Sequence, residues 1–152
     1  MIPDYTIQPG PWPFVLESPL RHLLRGPRQI VEITAWSHSQ VVGTIRDGLL
    51  TLHTGYAIDG ASFSILARML NVPRRMAAWF VHDFGCQFQG SEEFRRHAGD
   101  RRYWDRQMRA ILRVNRDWIA EPAYRAVRLH AQFSRPNLRP LDNITVSIKY
   151  AP

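Results

Sequence analysis

Cysteine and lysine are almost missing from this chain: Cys86 and Lys149 are the only residues of either kind among 152. A single cysteine excludes an intramolecular disulfide and a cysteine-rich zinc site, and it fits a reducing compartment. No apolar run approaches the length needed to span a bilayer, so no transmembrane segment is expected. The opening Met1-Ile2-Pro3-Asp4-Tyr5 lacks a basic stretch followed by an apolar core, so no secretory signal is expected either. Because lysine is so scarce, the net charge of +7 rests on arginine. A basic balance suits nucleic acid, a membrane surface or an acidic partner. An arginine-for-lysine bias also follows from genome composition alone, and nucleic acid is not the expected partner.

What is present is enough for a core. An apolar fraction of 45% with 11% aromatics excludes a disordered chain, and the length suits one domain. Prolines at 3, 9, 11, 13, 19 and 27 forbid long helices at the start. Residues 1–28 therefore read as an extended proline-rich arm pinned by Trp12, Phe14 and Val15. Residues 29–152 read as a single α+β domain. Gln29 to Trp36 is β-branched and apolar, Asp47-Gly48 is a turn signal, and Leu49 to Thr54 reads as a further strand. Helices are expected from Pro73 through Cys86, from Asp100 to about Asn115, and from Glu121 to Phe133, the last with Ala123, Val127 and Leu129 as apolar positions. Ile144 to Ile148 is a short strand able to rejoin the sheet. The fold class is α+β, a small antiparallel sheet packed on a layer of about three helices.

The segment with most to say about function is Val81-His82-Asp83-Phe84-Gly85-Cys86. From Met76 to Phe84 apolar residues occupy nearly every angle around the helix, the mark of a buried helix. Burying an imidazole and a carboxylate is costly unless each finds a partner or a metal ion. On the next helix, Asp100, Trp104, Met108 and Ile111 share one face. Arg102, Arg106, Arg109, Arg113 and Arg116 step along roughly the opposite face, where a solvated stripe is the plain explanation. Asp105 then falls at the margin, i+4 from Arg101 and i−4 from Arg109, and is explained by a surface ion pair. Asp100 is either an N-cap after Gly99 or, if the helix starts earlier near Ser91, an inward carboxylate able to meet His82. Asp59 in Asp59-Gly60-Ala61-Ser62 is either a turn residue or a third carboxylate of the same site.

Two resemblances meet at these residues. The Asp59-Gly60-Ala61-Ser62 loop, His82-Asp83 and Asp100-Arg101-Arg102-Tyr103 resemble the pattern of a phage and prophage family of unknown function. His82-Asp83-Phe84-Gly85, with Asp100-x-x-Tyr103 downstream, is also similar to the small bacterial secreted phospholipases of the A-two type. The second resemblance implies His82 as general base, Asp100 as its orienting partner, and Asp59 and Asp83 as ligands of a calcium ion. It further implies a lipid or other ester as substrate. The disulfides of those phospholipases have no counterpart here, which weakens the inference to lipid more than the His–Asp geometry.

The implied chemistry is coherent: calcium takes hard oxygen ligands, and a cation could polarise a carbonyl while an imidazole deprotonates water. Zinc on His82, Asp83 or Asp100, with His97 as a further ligand, is an alternative, although the spacing matches no zinc motif. Cys86 one turn from His82 reads as a small apolar residue, and Ser62 and Ser64 as loop serines. The competing view is a virion or tail-associated structural protein. In it the His–Asp network merely ties two helices, and the arm docks on phage structural proteins. Either way the expected location is host cytoplasm or assembled virion.

Overall fold

The computed structural model describes residues 2–9, 13–26, 31–58, 72–133 and 144–150. Asp59, Trp12, Ser62 and Ser64 lie outside the described residues. Eight strands and four helices are present among those described: β1 Tyr5–Ile7, β2 Phe14–Leu16, β3 Leu20–Leu23, β4 Val31–Ser37, β5 Gln40–Arg46, β6 Leu49–Leu52, β7 Ala57–Ile58, α1 Pro73–Gln87, α2 Glu92–Ala98, α3 Arg101–Val114, α4 Ala120–Phe133 and β8 Ile144–Tyr150. A 3₁₀ turn, Phe88–Gly90, joins α1 to the loop before α2.

The strands form two antiparallel sheets, one in the order β1-β2-β7 and one in the order β3-β6-β5-β4-β8. The class is α+β, as the hydrophobic patterning indicates. Alternation along β4, with Val31, Ile33 and Ala35 buried, gives the larger sheet one core face. Both tight hairpins have positive φ at their two central residues, as primed turns require. These are Asp47 (φ 51) with Gly48 (φ 77), and His38 (φ 49) with Ser39 (φ 65). The first carries the expected Asp-Gly signature. The second is held by its strands against the preference of both residues.

The first 28 residues are extended where described, but they do not stand apart from the domain. β1 and β2 pair with one another and with β7, while β3 pairs with β6 in the larger sheet. Leu16 and Leu20 are buried, so this segment supplies core. An arm reading from proline content misses the short strands that fit between the prolines.

Helix α1 lies on the sheets. Phe80, Phe84 and Phe88, spaced by four residues, are buried against Tyr5, Tyr56, Phe94 and Trp104 in one aromatic cluster. Gly43 in β5 permits this approach, because a Cβ there would come within 2.5 Å of the Phe84 ring. On the far side of α1, Gly85 does the same for α3: a Cβ would fall inside the indole of Trp104. The two glycines thus set the depth at which α1 is clamped, and the second brings the α3 backbone close to His82.

Candidate functional site

His82 is buried on the side of α1 that faces α3, and three side chains converge on it. Its Nδ1 lies 3.2 Å from Asp83 Oδ1, and its Nε2 lies 3.0 Å from Asp105 Oδ1. Cys86 Sγ, one helical turn on, is 3.5 Å from the same Nε2. The other oxygen of Asp105 accepts from Arg128 of α4 at 3.1 Å, so one fully buried carboxylate joins α1, α3 and α4. Cys86 and Asp83 are partly exposed, whereas His82 and Asp105 are buried.

The expected bond between His82 and a carboxylate across two helices is therefore present, but with Asp105 in place of Asp100. Asp100 is exposed at the N-cap of α3, where its carboxylate accepts from the Tyr103 N–H at 2.8 Å. The physical reason lies in the break before it. Ser91 does start a helix, capping α2 through the Phe94 N–H, but Gly99 at φ 94 ends that helix and a new one begins. Asp105 is buried because α3 is covered on two sides, by α1 and by α4, so its buried arc is wider than one amphipathic face. Trp104, Asp105, Gln107, Met108, Ile111 and Leu112 are all buried. Arg109 bonds Glu121 rather than Asp105. The signal available in the sequence was the angle of Asp105 on a helical wheel, about 60° from Met108 and about 100° from Trp104.

Charge state follows from the partners. Burial would lower the His82 pKa, but the Cys86 sulfur and the hydrogen bonds His82 donates to Asp105 and Asp83 outweigh it and hold the imidazole well above its usual value. Burial likewise pushes the Asp105 carboxyl up, yet the bonds to His82 and Arg128 and the charge of Arg101 hold it below the ordinary carboxylate range. Both His82 nitrogens face carboxylate oxygens, which only accept, so both must carry hydrogen. An imidazolium has no lone pair to serve as a base. In this arrangement His82 is a double donor, and the general base implied by the resemblance requires one nitrogen to be released first.

His82 Nε2, Cys86 Sγ and Asp105 Oδ1 lie within 4.8 Å of one another, and this group could hold a metal ion. Asp83, expected as a ligand, instead faces Nδ1 on the opposite side of the ring. His97 stacks edge-on against Tyr150, 5.9 Å between centroids, and takes no part. No helix among the described residues is long and apolar enough to cross a membrane. Comparison with protein-family models, with curated proteins and with solved structures finds no match to this chain.

Proposed function

We propose that the protein is a metal-assisted hydrolase whose ion is held by His82, Cys86 and Asp105. The observation that carries this reading is the convergence of three different donor atoms on one point, with Cys86 among them. A helix-to-helix tie needs only the imidazole and the carboxylate. An imidazole, a thiolate and a carboxylate form a donor set suited to zinc rather than calcium, which prefers six to eight oxygens. Binding would replace the proton on Nε2, while Nδ1–H stays on Asp83, the outer carboxylate that commonly fixes a metal-bound histidine. Three protein ligands leave room for a water, and a bound cation makes that water a usable nucleophile near neutral pH. The substrate class suggested by the phospholipase resemblance is an ester, cleaved to an acid and an alcohol by addition of water. A phage origin is part of the same proposal. Calcium between Asp83 and Asp59 is the other form of the metal hypothesis.

A second reading has its own support. Asp105 bonds both His82 and Arg128, and together with Asp83 these groups balance two cations against two carboxylates without any ion. Such a network suits a virion or tail-associated structural protein, with residues 1–28 toward a neighbour. Calorimetric titration of zinc and of calcium into chelator-treated protein separates the two. Zinc binding that Cys86→Ser weakens at least tenfold supports the three-donor site. Calcium binding that Asp83→Asn abolishes moves the ion to the Asp59 side. Absence of both leaves the structural network. A screen of phospholipids and simple esters with the binding ion then tests turnover.

A further inference from the structure

Away from His82, the outer face of α3 meets the loop after β3 across an open groove of about 420 Å³. Its walls carry Arg25, Arg106, Arg109 and Arg113 together with Tyr103, and among the described residues no carboxylate lines it. The loop wall is fixed. Buried Gln107 donates to the Arg25 carbonyl at 2.7 Å and accepts from the Arg25 N–H at 3.0 Å. Gly26, at φ +137, lets the chain turn there with the Tyr103 ring alongside, a Cβ at that point falling 3.3 Å from it. At the far end, Glu121 accepts from Arg109 Nε at 2.8 Å and from Arg113 Nε at 2.9 Å. Arg109 also lies over the Tyr124 ring, 4.7 Å from its centroid, so that end is held rigid.

Four arginines therefore line the groove, and two of them, Arg109 and Arg113, are bonded to Glu121. A solvated helix face has no second wall; here Arg25 lines the groove from the loop and Arg106 from the helix. Arg25, Arg106 and Arg113 are exposed, so water screens their mutual repulsion, and an anion seated in the groove would still meet more than one positive charge. The planar fork of arginine matches phosphate oxygens, a tyrosine face accepts a stacked ring, and the volume falls in the range of small-molecule sites.

We infer that this groove binds a phosphate-bearing small molecule of about nucleotide size, with Arg25 and Arg106 on the phosphate and Tyr103 against the remainder. This site is independent of the metal proposal. The test is calorimetry on the full chain at fixed ionic strength with inorganic phosphate, adenosine 5′-diphosphate and glycerol 3-phosphate. Comparison is made among wild type, Arg106→Gln, Arg25→Gln and Arg102→Gln. Arg102 is exposed on the same helix but does not line the groove, and the Arg25 backbone bonds survive a side-chain change. Saturable binding of any of the three ligands, weakened about tenfold or more by Arg106→Gln or Arg25→Gln and unchanged by Arg102→Gln, supports the inference. The preferred ligand tells nucleotide from lipid headgroup. No binding, or equal weakening by all three variants, overturns it. Binding confined to a single-stranded oligonucleotide or an anionic vesicle overturns it too, making the face a macromolecular surface instead.

Discussion

Helix α1 buries two cationic side chains seven residues apart, and their surroundings differ in kind. Arg75, in the first turn, meets Asp117 through two bonds, 2.6 Å from Nε and 3.0 Å from Nη2, with side-chain exposures of 5% and 0%. The second oxygen of that carboxylate also accepts the Ile119 N–H, and Arg74 approaches from outside at 3.3 Å. Burial pushes the Asp117 carboxyl up, but these partners hold it below its usual range. Two turns on, His82 is also paired with a fully buried carboxylate, but it titrates, and a thiol shares its Nε2. An arginine–carboxylate fork has fixed charge and fixed geometry. An imidazole beside a thiol can exchange a proton for a metal. The first cluster is a fixed ion pair, and the second is a group that could hold a metal ion.

The largest expected effect comes from breaking the fixed ion pair. Asp117→Ala leaves Arg75 buried without its bidentate partner and should cost about 3–5 kcal/mol in denaturant unfolding. If the cost is below about 1 kcal/mol, Arg75 finds other compensation and the contrast with His82 weakens. Gly85→Ala should come next. The new methyl group meets Trp104, which is enclosed by Phe84 and Phe94, so overpacking should cost about 1–3 kcal/mol. Because it pushes α3 from α1, it should also weaken zinc binding, whereas Asp117→Ala should lower stability without changing metal affinity in the folded protein.

Proton linkage distinguishes the clusters in the metal-free protein. The lowered pKa of Asp117 means that its contribution is present above the unfolded carboxylate value, roughly pH 4, and is lost as pH falls through the lower folded value. Its partner does not titrate, so there is no alkaline limit. For His82 the folded pKa is raised: its contribution is full below about pH 6.5 and is lost as pH rises through the folded value. Asp105, lowered, adds an acid limit to the same pair. The stability difference between wild type and His82→Gln should therefore shrink on the alkaline side, and that for Asp117→Asn only on the acid side. A His82→Gln difference that grows with pH would contradict the assigned charge state.

The smallest effect tests the reassignment of Asp100. Asp100→Ala should cost about 1 kcal/mol as a lost N-cap, Asp100→Ser should restore most of it, and neither should alter metal binding. A strong effect on binding would return Asp100 to the site.

Local signals in the sequence carried much of this fold. Pro73 at the first position of α1, the Asp47-Gly48 hairpin and the β-branched, apolar run of β4 are written in short-range chemistry, and a helix, a turn and a strand stand there. Of the apolar positions named in the last helix, Ala123 and Val127 are buried, but Leu129 is 57% exposed. What sequence concealed depends on neighbours. The His38-Ser39 turn lacks glycine and is imposed by its strands, while α2 is a seven-residue helix hidden before Gly99. At the site, His82 and its buried helix were legible because polar residues break an apolar run. Asp105 and Arg128 were not, because their roles depend on α3 being covered by α4 as well as α1. Cys86 reads as a small apolar residue until its sulfur is seen beside Nε2.

The most direct test of the metal centre is the absorption spectrum of the protein loaded with cobalt(II) after chelator treatment. Ligation by Cys86 predicts a thiolate-to-cobalt charge-transfer band that titrates to one equivalent, is displaced by zinc, and disappears in Cys86→Ser while the Asp100→Ala protein keeps it. No such band in the wild type, or a band that persists in Cys86→Ser, would contradict a centre built on His82, Cys86 and Asp105.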